Sequence, residues 1–337
     1  MKFLAITVSG FEDICQKELK EFGAKKTNIK TGCVIFELNK SKIVSLIDLG
    51  QSFSKIIEIW HTDKFTSLSS FRTIKNIRIN IKPTKTFLVR CQKIESKYSS
   101  HEIEACVGEN IIKNLTKTGF KPKVSTLNPD IHVFTYVTKS EFFLGQDLTI
   151  RDLSKRKYRV FVHPASFRGH IAYCLLRFSG FKPGKRLLDP NCRDGIIPIE
   201  AALFSKGKSK KSTIEATDPF IKNILIAKKN AKIANVKINF SKQDFDWLET
   251  HYESNYFDFI VTALPSPTKY NQKRIKESYK TLFESVSEIL KQNGKVAILV
   301  RKPELLKQQT KNRFKLIEER NIYVGKERFV ALLAKKI

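Results

Sequence analysis

The sequence predicts an α/β chain in two parts: an α+β half over residues 1–150, then a doubly wound sheet of seven strands. Three observations carry that expectation. Apolar residues make up 41% of the chain and fall in alternating segments, the mark of a globular protein. Strands and helices alternate densely over the first 60 positions. From Arg186 onward the pattern becomes regular βαβ units, closed by two adjacent strands without a helix between them.

In order, residues 3–8 read as a strand and 11–22 as a helix. Ser9-Gly10-Phe11-Glu12 has capping-box spacing, and Gly23 stands where a helix stops. A strand at 33–38, a helix at 41–50 and a strand at 55–60 complete a ferredoxin-like unit over 1–62. Residues 63–150 hold a helix at 68–76, a strand at 87–92 and a helix at 100–117. Along that last helix Ile103, Val107, Ile111, Ile112 and Leu115 share one face. Strands at 123–125 and 131–138 flank the turn Asn128-Pro129-Asp130, and a short strand follows at 141–144. Residues 151–170 read as a charged linker.

Over 171–337 strands fall at 186–190, 212–218, 238–244, 257–264, 294–302, 315–324 and 327–335. Helices lie near 196–206, 219–235, 273–292 and 303–311. The helix at 273–292 has the cleanest face: Ile275, Tyr279, Leu282, Phe283, Val286, Ile289 and Leu290. The outline is Rossmann-like.

The formal net charge is +29, from 62 Lys+Arg against 33 Asp+Glu. One basic cluster comprises Arg72, Lys75, Arg78, Lys82, Lys85, Arg90, Lys93 and Lys97. A second runs from Arg151 to Arg186 with Asp152 as its sole acid. A lysine-rich composition alone would mix the signs, so a polyanion is the natural partner, read here as structured RNA. The six cysteines, at 15, 33, 91, 106, 174 and 192, form no Cys-x-x-Cys pair, and no metal is expected. His163 and His170 read as structural or RNA-contacting. No apolar run approaches the roughly 20 residues that span a bilayer, and the N-terminus is no signal peptide. The expected location is the cytoplasm, with no membrane partner; a protein partner is not legible.

Several segments, in order, resemble the THUMP-domain RNA methyltransferases, most of all the tRNA guanine-N2 methyltransferases of archaea and eukaryotes. They are Phe87-Leu88-Val89-Arg90, Ser100-His101-Glu102-Ile103, Val107-Gly108-Glu109 and Asn128-Pro129-Asp130, then Lys155-Arg156-Lys157-Tyr158-Arg159 and His163-Pro164-Ala165. In the second half they are Leu188-Asp189-Pro190-Asn191-Cys192, Ile199-Glu200-Ala201-Ala202 and Asp258-Phe259-Ile260-Val261. The resemblance spans essentially the whole chain. It implies a ferredoxin-like and THUMP part docking on the tRNA acceptor end. It also implies a class I methyltransferase domain using S-adenosylmethionine.

The resemblance also implies site residues. Asp189, Cys192 and Gly195 lie in the cofactor loop after the first Rossmann strand, where the family reads Asp-Pro-x-Cys-Gly-x-Gly-Thr. Here Arg193 replaces the first glycine and Ile196 the threonine. Arg193 either obstructs the methionine end of the cofactor or pairs with its carboxylate. Asp218 either accepts the ribose hydroxyls or caps the next helix. Asp244 either accepts from the adenine amine or is a solvated acid. The family's catalytic motif places a polar residue, Leu or Pro, Pro, an aromatic and Gly after the fourth strand. This chain has Ala263, Leu264, Pro265, Ser266 and Pro267; Tyr270 either supplies a ring from a rearranged loop or packs. Two functions follow: an active guanine-N2 methyltransferase, or a noncatalytic RNA-binding homologue acting as scaffold or chaperone.

Overall fold

The computed structural model describes residues 1–72, 74, 85–117, 119, 122–310, 312–325 and 327–337. The chain forms two compact units: Met1–Thr7 with Cys15–Leu153, and Val8–Ile14 with Ser154–Ile337.

The first unit is built on one sheet. Its strands are β1 (Lys2–Thr7), β2 (Lys25–Lys30), β3 (Cys33–Glu37), β4 (Phe53–Lys64), β5 (Thr86–Lys93), β6 (Lys123–Val124), β7 (Ile131–Val137) and β8 (Glu141–Asp147). Their order is β2-β3-β1-β4-β8-β7-β5-β6. The strand expected at 55–60 is longer because β4 pairs with β1 and then, from Ile57↔Asp147 to Lys64↔Glu141, with β8. Strand β2 was not legible: its residues are mostly exposed and basic, without apolar alternation.

Helices α1 (Glu12–Glu21), α2 (Lys40–Leu49), α3 (Ser69–Arg72) and α4 (Ser100–Thr116) accompany the strands. The capping box expected at Ser9 does not form. Ser9 is bridged to Tyr323, and the Gly10 N–H donates to Glu12 instead. A capping box does open α4, between Ser99 and Glu102. On α4, Ile103, Val107 and Ile111 are buried, but Ile112 is 38% exposed, one position beyond the packed stripe. Of the helix expected at 68–76, Ser69–Arg72 is helical; 73, 75 and 76 lie outside the described residues.

The second unit contains α5 (Gly169–Phe178), β9 (Arg186–Asp189), α6 (Ile196–Ser205), β10 (Thr213–Asp218), α7 (Ile221–Ile233), β11 (Asn239–Lys242) and α8 (Leu248–His251). It continues with β12 (Phe257–Ala263), α9 (Gln272–Ile289), β13 (Leu290–Val300), α10 (Glu304–Thr310), β14 (Phe314–Val324) and β15 (Glu327–Lys336). The order β11-β10-β9-β12-β13-β15-β14 reverses direction beside β9. That reversal opens a crevice at the carboxyl ends of the strands, where doubly wound sheets bind ligands. Strand β15 inserts antiparallel between β13 and β14. One core face packs α5 and α6, the other α9. Helix α5, nine of whose ten residues are buried, was not among the helices read from the sequence, which begins the regular βαβ pattern only at Arg186.

In β8 a Cβ at Gly145 would stand 2.0 Å from the Glu58 carbonyl oxygen on β4. Gly145→Ala should therefore destabilise the first unit by about 1–3 kcal/mol, read as an earlier chemical-denaturation midpoint.

Candidate active site at the ends of the parallel strands

The turn after β9 carries the densest chemistry. Asp189 ends the strand fully buried and accepts the Asn191 N–H at 3.1 Å. Burial pushes its carboxyl up to about 7. The Cys192 N–H donates to the Thr217 carbonyl, and Gly195, at φ +81°, opens α6. The Cys192 thiol packs among Ala216, Ile224 and Ala227, and burial raises it well above the ordinary thiol range.

Arg193 occupies the left-handed region at φ +52°. A glycine adopts this conformation freely, whereas a side chain incurs about 1–3 kcal/mol. Two contacts offset that strain. Its N–H donates to Asp218 Oδ2 at 2.9 Å, and its guanidinium donates to the Ala165 carbonyl. The residue is 8% exposed. Burial draws the guanidinium below its usual range, while Asp189, Asp218 and Asp194 pull it back up. His163, nearby, is lowered by burial and then by Arg193.

Asp218 ends β10 with no exposed surface. Oδ1 accepts the Phe220 N–H at 3.0 Å and Asn223 Nδ2 at 2.9 Å, while Oδ2 accepts Arg193 N–H. Three of about four acceptor positions are thus filled by internal donors. Asp244, after β11, is exposed and precedes a short 3-10 turn at Phe245–Trp247.

At the end of β12, Ala263 and Leu264 are buried. The Ala263 carbonyl accepts Asn191 Nδ2 at 2.8 Å, and the Pro265 carbonyl accepts the Tyr279 hydroxyl. Ser266 Oγ accepts the Arg301 N–H at 3.0 Å. Pro267 is buried, and Tyr270 is 99% exposed.

These strand ends enclose a cavity of about 10 Å³, lined by Asp189, Asn191, Arg193, Ala263, Phe167 and Ile171 among others. That is room for roughly one water. Asp189 and Arg193 are the charged side chains that line the cavity; Asp218 and Asp244 do not.

Several residues that shape the site were quoted from the sequence only as part of the resemblance or of a basic run, or not at all, without the role they have here. Arg156 makes a two-point pair with buried Glu200, at 2.8 and 2.9 Å, and Tyr158 also donates to Glu200. Arg159 pairs with buried Asp194, which also accepts the His163 N–H and the Ser166 hydroxyl. Asn230 donates to the carbonyls of Asp194 and Phe161. Two arginines of the basic run at 151–186 therefore face inward. The acids at 194 and 200 were the available signal, because each requires a cation once buried.

Of the cations expected to meet RNA, Lys75, Arg78 and Lys82 lie outside the described residues. Arg72 is exposed at the end of α3. Lys85 pairs with Asp130 at 2.8 Å and helps hold that carboxyl down to about 2. Arg90 stands 3.8 Å from Glu104, and its side chain is 57% exposed. Lys93 turns its ammonium onto the carbonyls of Ser96 and Tyr98, so it braces a loop. Lys97 lies over the Tyr98 ring.

The sheet order and the strand-end turns define a class I methyltransferase domain of the Rossmann type. The chain belongs to the RMKL-like methyltransferase-domain family, which matches residues 156–329, and a THUMP domain matches residues 76–147. It is similar to the tRNA (guanine(6)-N2)-methyltransferase of Methanocaldococcus jannaschii, 27% identical over 95% of this chain and 96% of that one. The enzyme of the same name from Archaeoglobus fulgidus is 25% identical over 89% of this chain and 83% of its own length. The fold matches that of TrmN from Thermus thermophilus with a TM-score of 0.79 at 22% identity, covering 100% and 99% of the two chains.

Two outcomes follow. Asp194→Ala leaves Arg159 buried without its partner and should destabilise the second unit by about 3–5 kcal/mol in chemical denaturation. Asp189 binds its proton more tightly folded than unfolded, so it lowers stability as pH rises from about 4 to about 7. Asp189→Asn removes that penalty. Its melting temperature relative to the parent should climb across this window and stay level above it.

Proposed function

We propose that this protein is an S-adenosylmethionine-dependent tRNA methyltransferase acting on the exocyclic N2 of a guanosine. The observation that carries the reading is the strand-end set: Asp189, Asp218 and Asp244 with Arg193, on a chain similar nearly end to end to two tRNA (guanine(6)-N2)-methyltransferases. In this reading Asp218 holds a ribose hydroxyl, Asp244 the adenine amine, and Arg193 the carboxylate of the methionine part. The bound donor supplies an electrophilic methyl group.

The chain's own task is alignment, since an exocyclic amine needs position more than a strong base. The carbonyls of Ala263 and Pro265 each hold one internal donor and keep a second lone pair for the guanine amine. Asn191 and Tyr279 fix the two carbonyls in place. The THUMP part and the exposed Arg72 and Arg90 bind the tRNA acceptor end through backbone and shape. The protein works in the cytoplasm, with its tRNA.

One observation favours a second reading, a noncatalytic RNA-binding homologue. Arg193 lines a cavity of only about 10 Å³ while tethered to Ala165. Methyl incorporation into unfractionated tRNA, alongside calorimetric titration with S-adenosylmethionine, separates the two. The enzyme reading expects the wild type to label tRNA and Asp218→Ala to fall about 10²-fold. Failure to label, with cofactor binding gained only in Arg193→Gly, supports the second reading.

A further inference from the structure

Resting on the RNA-methyltransferase reading, we propose that Tyr270 is a stacking platform for an unpaired base of the bound RNA. Ser266, in the motif's aromatic position, cannot stack, and its hydroxyl is occupied by Arg301 N–H. Four residues on, Tyr270 is 99% exposed, the highest exposure among the large apolar and aromatic side chains of the described residues. An aromatic ring normally buries most of its surface, whereas both faces of this one are open to solvent.

The loop that presents it is fixed rather than slack. The Pro265 carbonyl is held by Tyr279 and Ser266 by Arg301 on one side. On the other, Asn271 Oδ1 accepts the Thr268 N–H at 2.6 Å, and the Asn271 carbonyl accepts Ile275 N–H as α9 begins. The loop runs directly on from Ala263, which lines the crevice.

The flanking charge is of one sign. Lys269, Lys273 and Arg274 are all exposed, and no acid occurs from Leu264 to Lys276. A bare ring between cations is the pairing that single-stranded RNA recognises, π-face for base and ammonium for phosphate. The cations give salt-dependent affinity without choosing a base. The ring adds a contact that salt does not screen.

The test titrates the full chain with a fluorescently labelled, mixed-sequence 12-nucleotide single-stranded RNA at several salt concentrations. Tyr270→Ala should weaken binding roughly 5- to 150-fold with the salt slope kept, whereas Tyr270→Phe retains affinity. Lys269→Ala should instead flatten the salt slope by about one. In Tyr270→Trp the new indole should be quenched on RNA addition, measured against the parent with Trp60 and Trp247. Wild-type binding that Tyr270→Ala leaves unchanged overturns the proposal alone, and the ring then serves a protein contact. Equal losses in Tyr270→Ala and Tyr270→Phe overturn stacking in favour of the hydroxyl. A wild type that binds neither this RNA nor tRNA overturns the underlying reading as well.

Discussion

The second unit is organised around a carboxylate taken out of water. Asp194 is fully buried, and removing its charge from solvent is costly unless every acceptor position is filled. Arg159, the His163 N–H and the Ser166 hydroxyl meet that demand, and all three come from the stretch before α5. Glu200 does the same with Arg156 and Tyr158. A segment with no helix or strand of its own is thereby fixed against the turn that holds Asp189 and Arg193. The position of the Ala165 carbonyl, and through it the Arg193 side chain, follows from those bonds.

That dependence makes Arg193 intelligible as a replacement. The turn demands a left-handed residue at this point, as the φ of +52° records. The strain is borne because the Arg193 N–H lands on Asp218 and its guanidinium reaches a carbonyl already held in place. A glycine would keep the turn and lose the second contact. The same side chain therefore offsets the cost of its own backbone conformation and lines the cavity beside Asp189.

The sequence made the parallel strands β9 to β12 legible, because their apolar runs and flanking helices repeat with fixed spacing. It also located Asp189, Asp218 and Asp244 as strand-end acids. It did not separate the two roles offered for Asp218, and the structure gives it internal donors, including the Phe220 N–H just before α7. Exposed β2 carries no two-sided pattern, so it could not be read. Arg156 and Arg159 were read as facing a polyanion because charge in a sequence has no direction. Only tertiary packing shows that they answer Glu200 and Asp194.

Strand β4 gives the first unit a different kind of indivisibility. Its opening residues pair with β1 and its later ones with β8, so a single strand of 12 residues is backbone to both neighbours. A cut after residue 62 would strip β8 of its partners from Ile57 to Thr62 and leave an open hydrogen-bonding edge on each fragment. Recombination that exchanged the first 60 residues for those of another protein would have to supply a strand of matching length and register. The N-terminal segment and the rest of its sheet thus share one strand.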